Sequence, residues 1–248
     1  MSNKKIRIFA GPNGSGKSTL QKGVEKNYPG GFFINADQLE VTLKSKKLID
    51  LNDFDLVATQ NDLDRFKLLP DSISLFEKAL QENNHQINIT LTENCIVDHS
   101  EDGHTYEGSF IASFLRSLMM QQNKSFSFES VFSHPSKILE IKDAIQKGYR
   151  IYLYFVCIDS PELNILRIQD RVKKQGHDVD NDKVRERYYR TLGFLNQILP
   201  LCYRAYLFDN SGKEQILFSE LYKEEINILS DSLPSWFIEY VLPYYAIE

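Results

Sequence analysis

The residues best equipped for chemistry form one short stretch: Gly11-Pro12-Asn13-Gly14-Ser15-Gly16-Lys17-Ser18-Thr19, directly after an apolar run from Ile6 to Ala10. That spacing fits phosphate binding. Glycines let the backbone take crowded or left-handed conformations that turn successive N–H groups inward. A helix beginning near Lys17 adds the positive end of its dipole, so the loop becomes an anion cradle. Lys17 then reaches the β- and γ-phosphates, and the Ser18 hydroxyl ligates the magnesium ion that bridges them. The expected ligands are ATP and Mg2+, bound by residues 11–19.

Three carboxylates are placed where strands end. Asp37 follows the apolar FFINA, Glu129 closes SFSFE, and Asp159 closes the eight-residue run IYLYFVCI. Open α/β sheets bind ligands beyond the C-terminal ends of their strands. Asp37 is therefore the candidate general base for an acceptor hydroxyl; equally open, on the residues alone, is a role capping the helix that starts at Gln38. Asp159 imitates a Walker B aspartate but ranks below Asp37 and Glu129, because Ser160-Pro161-Glu162 starts a helix at once. Arg167 and Arg171 share a face of that helix at i, i+4. Gly176-His177-Asp178-Val179 breaks it, and Arg185, Arg187 and Arg190 lie on the next helix. Five arginines on a hairpin read as a lid over 160–195 that brings guanidinium groups to a phosphoryl group, or as a solvated face.

The elements that must position these groups are legible as alternating strands and helices. The expected fold is α/β, a P-loop NTPase of the kinase-like type, with a mostly parallel sheet flanked by helices and an inserted helical and hairpin subdomain. The whole of 1–248 is one such domain. Strands fall at the apolar runs above, with a fifth at 204–209, and Tyr28-Pro29-Gly30-Gly31 is a turn. The tail adds an edge strand at 216–221 and a packing helix at 236–245. The insertion spans 50–105. Within it, 62–69 and 72–81 read as helices separated by Pro70, and 87–91 with 95–97 as a hairpin. Asp98-x-Ser100-x-Asp102-Gly103 imitates half of a calcium loop but has Ser109 at its twelfth position, so it reads as an acidic surface turn.

Composition narrows the function. The chain has 248 residues and a net charge of −5, and 50–105 holds twelve acids against three bases, leaving the remainder at +4. A basic body suits a nucleotide, while an acidic insert argues against nucleic acid as the main partner. No run approaches the ~20 apolar residues of a membrane span, and the N-terminal apolar run is too short for a signal peptide. The expected location is the cytoplasm, with no membrane partner. Cys95, Cys157 and Cys202 read as buried thiols.

GPNGSGKST, FINAD, FESVFSH, GYRIYLYFVCIDSPELNILRIQDRVKKQGHDV and RAYLFDNS together resemble the zeta-toxin-like P-loop kinases, over about residues 6–45 and 106–212. The 50–105 insert is long for the toxins and is similar to a subgroup described only as AAA-family or zeta-toxin-family ATPases. The resemblance implies transfer of the ATP γ-phosphate to a small-molecule hydroxyl, in the toxins the 3′-hydroxyl of UDP-N-acetylglucosamine. It implies that Lys17 and Ser18 serve the nucleotide, that Asp37 is catalytic, and that Arg171 contacts phosphate. The second such arginine is Arg185 or Arg187, and spacing leaves both open. Glu129 and Ser133, in FESVFSH, are assigned with Asp37 to the acceptor. Val131 stands where the toxins have a threonine that helps hold the sugar nucleotide, which leaves the acceptor open. An antitoxin or other protein partner is compatible with the resemblance. The rival readings are a nucleotide-dependent switch with slow ATPase activity, or a kinase of nucleosides or nucleic-acid ends.

Overall fold

A computed structural model describes residues 4–27, 31–101, 104–173, 179–223 and 225–245. In chain order, β1 (Lys5–Ala10), α1 (Lys17–Asn27), β2 (Phe32–Ile34), α2 (Ala36–Lys46), β3 (Leu48–Asp50), α3 (Gln60–Lys67) and α4 (Pro70–Asn83) come first. Then follow β4 (Ile89–Thr92), β5 (Cys95–Asp98), α5 (Thr105–Gln121), β6 (Phe126–Ser130), α6 (Ser136–Gln146), β7 (Arg150–Cys157), α7 (Pro161–Lys173) and α8 (Asn181–Gly193). A one-turn α9 (Leu195–Ile198), β8 (Arg204–Asp209), β9 (Ile216–Tyr222), β10 (Glu225–Ile228) and α10 (Ser235–Tyr240) complete the chain. It divides into two compact units, Met1–Gly31 with Ser127–Glu248, and Phe32–Phe126.

In the first unit the strands run in the order β10-β9-β8-β7-β1-β6. β7 pairs parallel with both β1 and β8. Its second half is buried throughout, as a continuous apolar run in a central strand requires. The expected edge strand is β9, but it pairs antiparallel with β8 on one side and with β10 on the other. The edge is therefore β10, whose short, alternating Glu-Ile-Asn-Ile is too polar to announce itself. The tail helix is shorter than expected: α10 stops at Tyr240 and a 3-10 turn, Leu242–Tyr244, follows. Pro243 supplies no amide to continue the ladder. Trp236 of α10 is buried against Phe155 and Phe218, with ring centroids 5.4 and 5.5 Å away. α7 and α8 pack through Ile165, Ile168 and Val184.

The second unit carries a small antiparallel sheet in the order β3-β5-β4. Its hairpin turns on Glu93 and Asn94, both at positive φ. α3 starts two residues before the expected helix because Thr59 and Asp62 form a capping box; Pro70 occupies the first turn of α4, as its fixed φ favours. α5 buries Phe110, Phe114 and Leu118 on one face, each contributing about 1.5–3 kcal/mol by leaving water. Of the three thiols only Cys157 is buried; Cys95 and Cys202 are half-buried. Among the described residues no helix is long and apolar enough to cross a membrane. The turn at Tyr28-Pro29-Gly30, the pair Asp102-Gly103 and the break at Gly176-His177-Asp178 lie outside the described residues.

Candidate functional site

The nucleotide loop sits between β1 and α1, and its glycines are dictated by contact. At Gly11, with φ +142°, a Cβ would lie 2.0 Å from the Val156 carbonyl oxygen of β7. At Gly16, with φ +104°, it would lie 2.5 Å from the Asn210 amide nitrogen. No other residue tolerates both the φ and the approach. Asn210 Nδ2 donates to the Ser15 carbonyl at 2.8 Å, and Arg167 Nη2 donates to the Asn210 carbonyl at 2.8 Å. The turn after β8 and helix α7 thus brace the back of the loop. Ser15 is buried, and its amide closes a turn onto the Pro12 carbonyl at 3.3 Å. Asn13 is half-buried, while Ser18 and Thr19 are exposed on the first turn of α1.

Lys17 is only 6% exposed, and its ammonium donates to the carbonyls of Gly11 and Pro12, both at 2.9 Å. Glu129, at the end of β6, faces it across 3.8 Å and accepts a hydrogen bond from the Ser18 hydroxyl at 3.0 Å. The structure therefore gathers Lys17, Ser18 and Glu129 at the loop mouth. A buried lysine beside inward-facing backbone donors fits the triphosphate of ATP. A hydroxyl beside a carboxylate is the hard oxygen set that fits magnesium.

The strand end that carries Glu129 is itself fixed by strain. Phe132 is buried at φ +61°, and its amide donates to Ser130 Oγ at 3.1 Å. A bulky residue held left-handed costs about 1–3 kcal/mol. Thr191 of α8 donates to the Val131 carbonyl at 2.8 Å, which ties the same turn to the arginine helix. Ser133 is half-buried in that turn.

The arginines separate. Arg185 donates to Glu162 and Asp182, each at 2.9 Å. The carboxylates hold its guanidinium charged, and Arg185 in turn holds Glu162 below the usual carboxylate range. Arg185 is thus already neutralised by two carboxylates of the hairpin itself. Arg187 is half-buried and makes no hydrogen bond or ion pair among the described residues. It lies four residues before Thr191, hence on the helix face that meets Val131. Arg171 is exposed near the end of α7; Arg190 is paired with Glu186.

Asp37 belongs to the second unit, and the expectation for its position needs correction in two ways. β2 ends at Ile34, and the cap of α2 is Asn35, whose side chain accepts from the Gln38 amide at 3.2 Å. Asp37 lies inside the first turn, exposed and unengaged among the described residues. It is neither the strand terminus nor the cap. Asp159 is structural: its carboxylate accepts from the Trp236 amide at 3.4 Å, and its own amide donates to Ser211 Oγ at 3.0 Å. The residue missed by spacing is Asn210; Arg167, expected among the lid arginines, instead braces the loop through the Asn210 carbonyl. Asn210 stands in the quoted RAYLFDNS, but only the close approach at Gly16 shows why an amide is needed there.

Residues 97–201 match the zeta toxin family model. An uncharacterized protein of Haemophilus influenzae is 36% identical over 69 residues, which make up 28% of this chain and 49% of that protein. The match thus spans about half the length of the curated relative. Two solved complexes of AvrRxo1-ORF1 with AvrRxo1-ORF2 align over 91% of this chain. The one with sulphate ions gives 16% identity over 61% of that chain at a TM-score of 0.51. The one with ATP gives 15% identity over 60% at 0.50. At such identities the likeness is one of fold, and this chain spans less than two thirds of theirs. The chain is zeta-toxin-like through residues 97–201, and its fold is a mostly parallel α/β sheet with the glycine-rich loop between β1 and α1, similar to that of AvrRxo1-ORF1.

Proposed function

We propose that the protein is an ATP-dependent phosphotransferase that moves the γ-phosphoryl group to a hydroxyl of a small molecule. The observation that carries this reading is the convergence of Lys17, Ser18 and Glu129 at the mouth of a loop in which Cβ atoms are excluded. Lys17 holds its charge against the β- and γ-phosphates, and the first-turn amides of α1 orient them. Ser18 and Glu129 would hold magnesium, which when bound would offset phosphate charge. Arg187 and Arg171 meet the charge that develops on the transferring group. Asp37 takes the proton from the acceptor hydroxyl.

The acceptor class offered is a UDP-amino sugar or another hydroxyl compound of that size. Val131 uses its backbone carbonyl to hold α8, so the side chain that stands in place of a threonine hydroxyl contributes no hydrogen bond there. A protein partner belongs to the same proposal, since AvrRxo1-ORF1 is solved in complex with AvrRxo1-ORF2. The test is incubation with γ-labelled ATP and separate pools of sugar nucleotides, nucleosides and oligonucleotides. Label in a sugar nucleotide or other small hydroxyl compound is expected. Label found only in inorganic phosphate, at a rate raised by a protein partner and by no metabolite, would replace this reading with a nucleotide switch.

A further inference from the structure

The opposite end of the same sheet presents an arrangement that phosphoryl transfer does not use. Register places Lys5 beside Arg150, Arg7 beside Tyr152, Tyr152 beside Arg204, and Arg204 beside Tyr222. Paired residues point to the same face, so one face of β1, β7, β8 and β9 alternates cations with tyrosines. Lys5, Arg7, Tyr152, Arg204, Tyr206 and Tyr222 are half-exposed there, and Arg150 and Lys223 are exposed. Among the described residues of these strands, the carboxylates in this register are Glu220 of β9 and Glu225 of β10, fewer than the cations Lys5, Arg7, Arg150, Arg204 and Lys223.

The rings are ordered. Tyr154 stacks on Tyr206 at 4.9 Å, Tyr203 lies 5.5 Å from Tyr152 and 5.6 Å from Tyr222. Three of the cations are mounted on rings: Arg150 over Tyr203 at 4.7 Å, Arg204 over Tyr222 at 5.0 Å, Lys223 over Tyr222 at 5.1 Å. Arg204 Nε is buried with no hydrogen-bond acceptor among the described residues. At the margin, a groove of about 360 Å³ opens between Ile145, Tyr149, Arg150, Cys202, Tyr203 and Lys223, a size that takes a planar ring with its substituents.

Lys5 and Arg150 begin parallel strands, whereas the phosphate loop follows Ala10 at the far end of β1. Five steps of about 3.3 Å separate them, roughly 17 Å. This is a second surface, not an extension of the first. Spaced cations with ring faces between them match a chain of phosphates carrying flat bases, and only an unpaired strand offers its base faces to the rings. An acidic polypeptide would satisfy the cations and leave the rings unused.

We propose that this face of the sheet binds single-stranded nucleic acid, with a base in the Tyr203 groove and phosphates on Arg150, Arg204 and Lys223. The acidic stretch at 50–105 lies in the other unit and is no part of this face.

The experiment is fluorescence anisotropy of the full-length chain with a labelled single-stranded oligoribonucleotide of mixed sequence, about twelve nucleotides long, across a salt series. Expected is binding that weakens steeply with salt and is unchanged by a non-hydrolysable ATP analogue. The exposed reversals R150E and K223E should together weaken it at least about tenfold and lower the salt slope by roughly two. Tyr203→Leu, which keeps the bulk and removes the ring, should weaken it at least about fivefold without changing the slope. Circular dichroism confirms that each variant is folded; if one is not, the other carries the test. Absence of binding at low salt would overturn the proposal. So would equal affinity for a duplex of the same sequence, displacement by polyglutamate of matched charge, displacement by the ATP analogue, or wild-type affinity in both variants.

Discussion

Gly11 and Gly16 show how tightly single atoms constrain the phosphate loop. A methyl group at Gly11 would meet the Val156 carbonyl at 2.0 Å, and φ there is +142°. Gly11→Ala should therefore lose about 2 kcal/mol or more of stability, measured by urea denaturation, because neither backbone can yield without breaking the β1–β7 pairing. The arginines make an equally local contrast. Arg185 is held on the surface by Glu162 and Asp182, whereas Arg187 faces the turn that follows Glu129 and has no protein partner among the described residues. Arg187→Ala should cut the phosphoryl-transfer rate by about 10²-fold or more, and Arg185→Ala should leave it within about threefold. Steady-state rates at saturating ATP check this. Sequence spacing placed both residues on the hairpin but could not see which had been claimed by a neighbouring carboxylate, since Glu162 lies a helix away.

At the level of elements, the two readings of Asp37 separate once Asn35 is seen to cap α2. Asn35→Ala should cost about 1 kcal/mol of stability. Asp37→Asn should leave stability within about 0.5 kcal/mol and abolish transfer while ATP still binds; unaltered transfer would remove Asp37 from the mechanism. Strands with continuous apolar runs, such as β7, and helices with long apolar faces, such as α5, were legible because burial alone determines their pattern. β3 and β10 were not, being only three and four residues long and stabilised by pairing instead of by their own periodicity. The expected acidic surface turn fails at Asp98, which ends β5: its carboxylate is buried, accepts from the Ser100 amide at 2.9 Å and is hydrogen-bonded to His104 at 2.6 Å. The hairpin of α7 and α8 is expected to gain hydrogen-exchange protection when an ATP analogue binds, as Arg171 and Arg187 engage phosphate. Equal protection in both states would mark these arginines as a solvated face.

For the whole molecule, composition alone points one way and topology another. The acidic run at 50–105 falls inside the unit Phe32–Phe126, while the cationic tyrosine face is assembled in the other unit from Lys5, Arg150, Arg204 and Lys223. Those four lie far apart in sequence, so no window of the chain reveals them; only strand order does. The phosphate loop is the reverse case, because its residues are contiguous and its glycines announce the geometry they serve. That contiguity also allows the central claim to be tested with one variant. Lys17 is buried on two carbonyls of its own loop, so Lys17→Ala should cost about 1–3 kcal/mol of stability, and thermal unfolding identifies the temperature at which the variant remains folded. At that temperature the decisive measurement is the fate of γ-labelled ATP in a small-molecule extract, wild type beside Lys17→Ala. The account predicts that wild type moves label from ATP into an acid-stable small-molecule ester and that the variant does so more slowly by about 10²-fold or more. Equal transfer by the two proteins, or label released by both only as inorganic phosphate, would contradict it.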